Sequence, residues 1–309
     1  MKIAIMATGG LGGYYGALLA KDGHEVTFIA RGAHLKAIRE NGLTIKSIHG
    51  DVTIQPARAT DNPAEIGAVD WILFGVKTYD TTSAAQLMKP LIGAQTTVVN
   101  FQNGVDSHEE IAAIVGKEHV IVAPTQIVSN ITAPGLIEQK SPFRSSVVGE
   151  VYGQGLTSRV QEFAAMLKHT GVDVSAVADG RIPLWHKIVF IASIAGLTSI
   201  SRTEPFILFQ SAEAREMLRA AMEEVKAVGL AQGVALDADI VDRHYQGALN
   251  LKPGSKPSML LDLEQGKRLE IDTLSGTVVR LGKPKNIATP VHQTIYVALK
   301  MEDNRRLVK

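Results

Sequence analysis

One lysine in this chain stands where lysines are costly. The stretch "PLWHKIVFIASIAGLTSIS", residues 183–201, is rich in Ile, Ala, Val and Phe, reads as a buried helix and carries Lys187 near its start. An ammonium on an apolar face must find a partner, surrender its proton or reach water. It either snorkels to the surface from a helix end, or acts as an acid whose pKa is lowered by burial, giving a proton to an oxygen that gains negative charge. Three further side chains suggest the second use. Asn103, in "FQNGV", follows a strand at its C-terminal end, where ligands of open α/β sheets gather. "KPSMLLDLEQGKRLEID" carries Ser258 and, twelve residues on, Glu270. Ser258 is expected to cap a short helix over 259–265 that Gly266 ends, and Glu270 to lie in the first turn of the next helix, 269–282. Each has a plainer reading: Asn103-Gly104 as a turn, Ser258 as only a cap, Glu270 as only a favourable charge at a helix start.

A second chemistry lies at the N-terminus. "MATGGLGGYYG" follows an apolar run and opens a helical pattern. Against the fingerprint G-x-G-x-x-G its positions are Ala7, Gly9 and Gly12. The second glycine lets backbone approach a pyrophosphate, and the third lets the helix pack closely on the strand. The helix N-terminus adds free N–H groups and a positive dipole end. Gly9, Gly10, Leu11 and Gly12 are therefore the candidate phosphate-facing residues. Ala7 in the first glycine's place is workable if the turn keeps its φ negative. The second strand ends in "TFIARG", where an acid would suit an NAD ribose; Arg31 suits a 2′-phosphate instead, with Lys77 of "FGVKTYD" as a second cation. The cofactor expected is NADPH, although Arg31 also reads as an ordinary exposed strand-end residue.

The elements that must position these residues alternate. Apolar runs at 2–7, 25–30, 70–76, 96–101 and 119–124 are interleaved with helical patterns near 11–22, 79–89 and 106–115. That alternation implies a parallel sheet covered on both faces. Residues 43–56 read as a hairpin turning at His49-Gly50-Asp51, and 131–151 as further strand pairs. After about residue 180 helical periods take over, at 183–201, 211–232, 236–249, 258–265, 269–282 and 290–302. The fold expected is α/β: a Rossmann-type domain over 1–178, then an all-helical domain over 179–309. The polar "SAVADGRIP" joins them.

Composition removes several classes. A chain of 309 residues is long enough for two domains. A net charge of +1 gives no footprint for nucleic acid or an acidic membrane surface. The absence of cysteine removes disulfides and thiol nucleophiles. The nine histidines form no H-x-H or H-E-x-x-H pair, so no metal is expected. No apolar run reaches ~18–20 residues without charge, so no membrane span is expected, and a cytoplasmic location is.

Taken together, "IARGAHLKAIRENGL", "QNGV", the W-x-K of Trp185 to Lys187 and the S-M-L-x-D-x-x-x-G-x-x-x-E-I-D run from Ser258 to Asp272 resemble the ketopantoate reductase family. The resemblance covers nearly the whole chain. It implies NADPH-dependent reduction of 2-dehydropantoate to pantoate, a C-terminal domain similar to that of 6-phosphogluconate dehydrogenase, a small 2-keto acid as the partner molecule, and a possible homodimer. It also implies roles. Lys187 gives the proton to the keto oxygen, Glu270 binds substrate hydroxyls, Asn103 holds the lysine and the nicotinamide end, and Ser258 contacts the substrate carboxylate. Arg31 and Lys77 grip the 2′-phosphate. One departure stands out. Family members carry asparagines four and eight residues after the lysine, where this chain has Ile191 and Ala195, and Gly196 stands where a proline is common. A more apolar 2-keto acid is therefore an alternative substrate. A non-catalytic NADPH-binding sensor is a third reading, and one that would need none of Lys187, Glu270, Asn103 and Ser258.

Overall fold

Strand β1 (Lys2–Met6) sends Ile3 and Ile5 into one apolar cluster and Ala4 and Met6 into another, and all four are buried. A strand buried on both sides in this way needs helices on both faces of its sheet. The computed structural model, which describes residues 1–153 and 155–307, supplies them. The chain divides into two compact units, one of Met1–Gln102 with Ser107–Gly180, the other of Asn103–Asp106 with Arg181–Lys309.

In the first unit β1 is followed by α1 (Gly10–Lys21), β2 (Glu25–Ile29), α2 (Gly32–Asn41), β3 (Leu43–Ser47), β4 (Val52–Ile54), β5 (Arg58–Thr60) and β6 (Trp71–Phe74). Then come α3 (Thr81–Leu87), β7 (Thr97–Asn100), α4 (Ser107–Val115), β8 (Val120–Val122), β9 (Thr125–Ala133), β10 (Leu136–Glu150), α5 (Ser158–His169) and β11 (Asp173–Val177). Six strands, in the order β8-β7-β6-β1-β2-β5, run parallel. Beyond β8 the sheet continues through antiparallel β10, which also pairs with β3, β9 and β11. Helices α1 and α5 cover one face through Leu19, Phe163 and Leu167, while α3 and α4 cover the other through Ala85 and Ile111. The hairpin β3–β4 pairs Leu43 with Ile54, as its pattern predicts. From β1 the chain moves to β2 on one side and later to β6 on the other. The ends of β1, β2 and β6 therefore meet where the strand order reverses, the usual binding edge of such sheets.

The second unit is helical: α6 (Arg181–Ser201), α7 (Pro205–Leu208), α8 (Ala212–Ala231), α9 (Ile240–Leu249), α10 (Ser258–Glu264), α11 (Ser275–Gly282) and α12 (Pro290–Leu307). Helix α6 is its centre and packs on α8, α9, α10 and α12. By length and mean hydropathy (1.4) α6 could cross a membrane, but 67% of its apolar window is buried inside the protein, as in a core helix.

Two expected helices begin late. The pattern over 236–249 becomes α9 only from Ile240, and Asp237, ahead of the helix, pairs with Arg243. The pattern over 269–282 becomes α11 from Ser275, so Glu270 lies in no helix. Gly266 closes α10 at φ +69, and the carbonyl of Glu270 accepts from Thr273 and Leu274 in a turn that delays the next helix.

Candidate active site

The glycine turn of the first unit is made of backbone. Thr8 N–H and Thr8 Oγ1 both donate to the carbonyl of Ile29 at 2.8 and 3.0 Å, tying the turn to the end of β2. Gly9 N–H donates back to Ala7 at 2.9 Å. Ala7 takes φ +41, so the condition of a negative φ is not met: the alanine occupies the left-handed region a glycine would adopt freely, at a cost of about 1–2 kcal/mol.

The glycines divide into two kinds. A Cβ on Gly10 would stand 2.0 Å from the Ser129 carbonyl oxygen, and one on Gly12 2.6 Å from that of Ala7. One on Gly16 would meet Ile5 and Phe28 below 3 Å. These three let strand backbone and helix approach each other. Gly9 is different: a Cβ there would meet nothing within 4 Å, and its φ of −85° suits any residue. Neither packing nor backbone strain requires a glycine at position 9, which leaves the open space above it as the reason. Helix α1 starts at Gly10 with no side-chain cap and no acid in its first turn, so its N-terminal amides and dipole face that side uncompensated. A pyrophosphate fits such a place. Leu11 lies in the same turn, its Cδ2 3.4 Å from a Cβ built on Gly75.

Arg31 is exposed and forms the N-cap of α2, two residues beyond the end of β2. Lys77 is half-buried just beyond β6. Register aligns Met6 with both Ile29 and Phe74, so the glycine turn, Arg31 and Lys77 all follow the same edge of the sheet.

In the second unit the polar groups are side chains. Lys187 is half-buried on α6, behind the buried Trp185 and before the buried Ile188 and Val189. Burial lowers its pKa from 10.5 to about 8, and the nearby Glu270 carboxylate opposes part of that fall. Glu270 is itself buried. The loop Asn103–Asp106 belongs to this unit. Gly104, at φ +99, lies so close to the chain after Glu270 that a Cβ would stand 2.3 Å from Thr273 Cγ2. Asp106 pairs with Arg280 and accepts from Thr277 Oγ1 at 3.5 Å. Asn103 is thus fixed from its C-terminal side against the segment that carries Glu270. Lys187, Glu270 and the Asn103 loop come together within one unit.

Ser258 does not act as expected. Pro257, at φ −61 and ψ 150, is the non-helical cap of α10, which makes Ser258 the first helical residue, exposed and without a capping bond. The residue before the helix must be extended, and proline holds that geometry. The contact of Thr273 with Gly104 had no signal in the sequence, since a separation of this size leaves no periodic trace.

A doubly wound sheet with a glycine turn, followed by a helical unit that sets a lysine beside a carboxylate, is the architecture of a class of two-domain oxidoreductases. The model of the family "Ketopantoate reductase PanE/ApbA" matches residues 3–152, and that of its C-terminal domain residues 182–303. The chain belongs to the ketopantoate reductase family and is an oxidoreductase. It is 32% identical to the 2-dehydropantoate 2-reductase of Mesorhizobium japonicum over 311 aligned positions, covering 94% of each chain. Among solved structures it is similar to a PanE/ApbA family ketopantoate reductase from Ralstonia eutropha JMP134, with 30% identity, a TM-score of 0.91, and coverage of 99% of this chain and 100% of that one. The ternary structure of D-mandelate dehydrogenase with NADH and anilino(oxo)acetate has the same fold, with a TM-score of 0.90 and 99% coverage of both chains; at 23% identity it speaks for the fold alone.

Proposed function

We propose that the chain reduces a 2-keto acid to the 2-hydroxy acid with NADPH, and that 2-dehydropantoate is the substrate. The observation that carries this reading is Lys187, held by burial at a pKa of about 8 beside the charge of Glu270, in a member of this family. A bound nicotinamide nucleotide would supply a hydride to the keto carbon. The remaining work falls to the chain. As the carbonyl oxygen gains negative charge it needs a proton close by, and the Lys187 ammonium provides one. A pKa near 8 leaves the group mostly protonated at neutral pH, yet makes it a stronger acid than an ordinary lysine. The Glu270 carboxylate keeps that pKa from falling further and would accept hydrogen bonds from substrate hydroxyls. Asn103 would orient the nicotinamide end, and Ser258 would meet the substrate carboxylate. In the first unit Gly9 to Gly12 would face the pyrophosphate, and Arg31 with Lys77 would hold the 2′-phosphate, which favours NADPH over NADH.

A second reading, a more apolar 2-keto acid, has its own support. Ile191 and Ala195 follow Lys187 at the spacing of one helix face, Ile191 half-buried and Ala195 only 3% exposed. Neither can hydrogen-bond a substrate. The test is oxidation of NADPH and of NADH against a panel of 2-keto acids, 2-dehydropantoate included, with the Lys187→Ala enzyme beside the wild type. Turnover of 2-dehydropantoate that depends on Lys187 supports the first reading, and preference for an aryl or branched acid supports the second. No consumption with any acid would overturn both.

A further inference from the structure

Glu270 has no helix to hold it, yet it is buried beside Lys187 in an irregular stretch between α10 and α11. The last helix, α12, grips that stretch on both sides. After Glu270, Tyr296 Oη donates to Asp272 Oδ1 at 3.0 Å and Lys300 Nζ pairs with Asp272 Oδ2 at 2.6 Å. Before it, the amide of Leu269 donates to Oδ1 of Asp303 at 2.8 Å. Further back, Arg306 Nη1 donates to the carbonyl of Lys267 and Arg306 Nη2 to that of Leu263, both at 3.0 Å. Positions 296, 300, 303 and 306 recur at helical spacing and form one row along α12.

The two sides of the row have different strengths. Asp303 is 1% exposed, and a buried carboxylate that accepts from a backbone amide is a strong, directional tie. Tyr296 and Lys300 are half-buried, so their hold on Asp272 is softened by water. The same helix reaches the lysine-bearing element: Ile295 packs on Gly196 of α6, so closely that a Cβ there would meet Ile295 Cγ2 at 2.8 Å. One helix therefore fixes the Glu270 segment and rests on the helix that carries Lys187.

We infer that Asp303, Arg306, Tyr296 and Lys300 are positioning residues that set the Glu270 carboxylate against Lys187 and the substrate. They give the aspartate of the E-I-D run, Asp272, a part as the group that Tyr296 and Lys300 hold. The inference rests on the reading of Glu270 as a substrate-binding group, and its test separates the two.

Four enzymes are compared with the wild type: Asp303→Asn, which keeps shape but removes charge, the more exposed pair Tyr296→Phe with Lys300→Met, Glu270→Ala, and Glu270→Ala combined with Asp303→Asn. Steady-state kinetics use 2-dehydropantoate or the fastest acid of the panel, and amide hydrogen exchange is followed at Leu269. Asp303→Asn should raise the KM for the keto acid by roughly 5–50-fold, the scale of a weakened charged hydrogen bond, and leave kcat within about threefold. NADPH affinity, by fluorescence titration, should not change, and Leu269 exchange should speed up. The more exposed pair should give a smaller KM rise of the same kind. On a Glu270→Ala background Asp303→Asn should add nothing, because it acts through the missing carboxylate. If Glu270→Ala keeps a wild-type KM, the site reading fails and this inference with it. If Glu270→Ala raises KM but neither positioning variant does, or if the effects of Asp303→Asn and Glu270→Ala add in full, the positioning role alone is overturned.

Discussion

In the first unit the groups proposed to face a ligand are mainly backbone: amides at the start of α1, and the bare Cα of Gly9 with nothing within 4 Å of the Cβ it lacks. In the second unit they are side chains, Lys187 on a core helix and Glu270 on a stretch tied down by α12. The difference teaches where each can fail. A backbone site is built over about a dozen consecutive residues and breaks by added bulk. A side-chain site is assembled from segments near 103, 187 and 270 that packing must bring together. It breaks by loss of a functional group or by a small displacement of the chain that carries it.

The largest effect expected is at Lys187. Lys187→Ala should lower kcat by roughly 10²–10⁴-fold, the range for a positioned proton donor, while NADPH affinity holds. On the proposed mechanism the protonated lysine is the active form. With its pKa lowered to about 8, kcat/KM for reduction should be flat at lower pH and fall about tenfold per pH unit above that value. Lys187→Arg should lose that limb, since a guanidinium stays protonated through this range. A well-folded Lys187→Ala enzyme with wild-type kcat would return the lysine to its snorkelling role.

Next come the glycines, which separate the two kinds of site within one turn. Gly9→Val places a side chain in open space, so it should leave the melting temperature nearly unchanged and weaken nucleotide binding by about two orders of magnitude or more. Gly10→Ala drives a methyl against the Ser129 carbonyl and should do the reverse in kind, costing stability on the order of 1–3 kcal/mol before binding is considered. Calorimetry and nucleotide titration on both variants decide it. Unchanged affinity in Gly9→Val would remove the turn from the site.

The same contrast governs what was legible in the sequence. Local rules reached the glycine turn, the alternation of β1 to β8 with helices, the β3–β4 hairpin and the core helix α6, because each is set by neighbours a few residues away. They failed where a distant group, or in one case an adjoining proline, intervenes. Glu270 reads as the first turn of a helix, yet the Leu269 amide is taken by Asp303, thirty-four residues on. Ser258 reads as a cap, yet Pro257 holds the extended geometry before α10. Ala7 suits the turn only at a negative φ, yet the turn tied to Ile29 holds it at +41. That Lys187, Glu270 and Asn103 are expected near one another came from family resemblance; no periodicity in the chain carries it.

Arg31 sharpens the comparison, as a side chain placed at the edge of the backbone-built site. It is exposed at the N-cap of α2. Arg31→Ala should weaken NADPH by roughly 1.5–3 kcal/mol, or about 10–100-fold, and leave NADH nearly unchanged. Titration of both nucleotides into both proteins tests this, and equal losses would show that Arg31 does not read the phosphate.

The smallest effect concerns the face of α6 that carries Lys187, where two residues lack the polar groups the family usually has. They are not equivalent. Ala195 is 3% exposed, so an asparagine there would bury an amide with no partner assured, at about 1–3 kcal/mol from mutational data. Ile191 is half-buried, and an asparagine there can reach water or a ligand. Ile191→Asn alone should therefore raise kcat/KM for 2-dehydropantoate by roughly 2–10-fold, the scale of one net hydrogen bond, and lower it for branched or aryl 2-keto acids. Ala195→Asn added to it should cost melting temperature without a matching gain. The measurement is kcat/KM on both substrate types for wild type, single and double variants. A rise for both types, or for neither, would mean that this face does not select the substrate and that specificity in the side-chain site is set elsewhere.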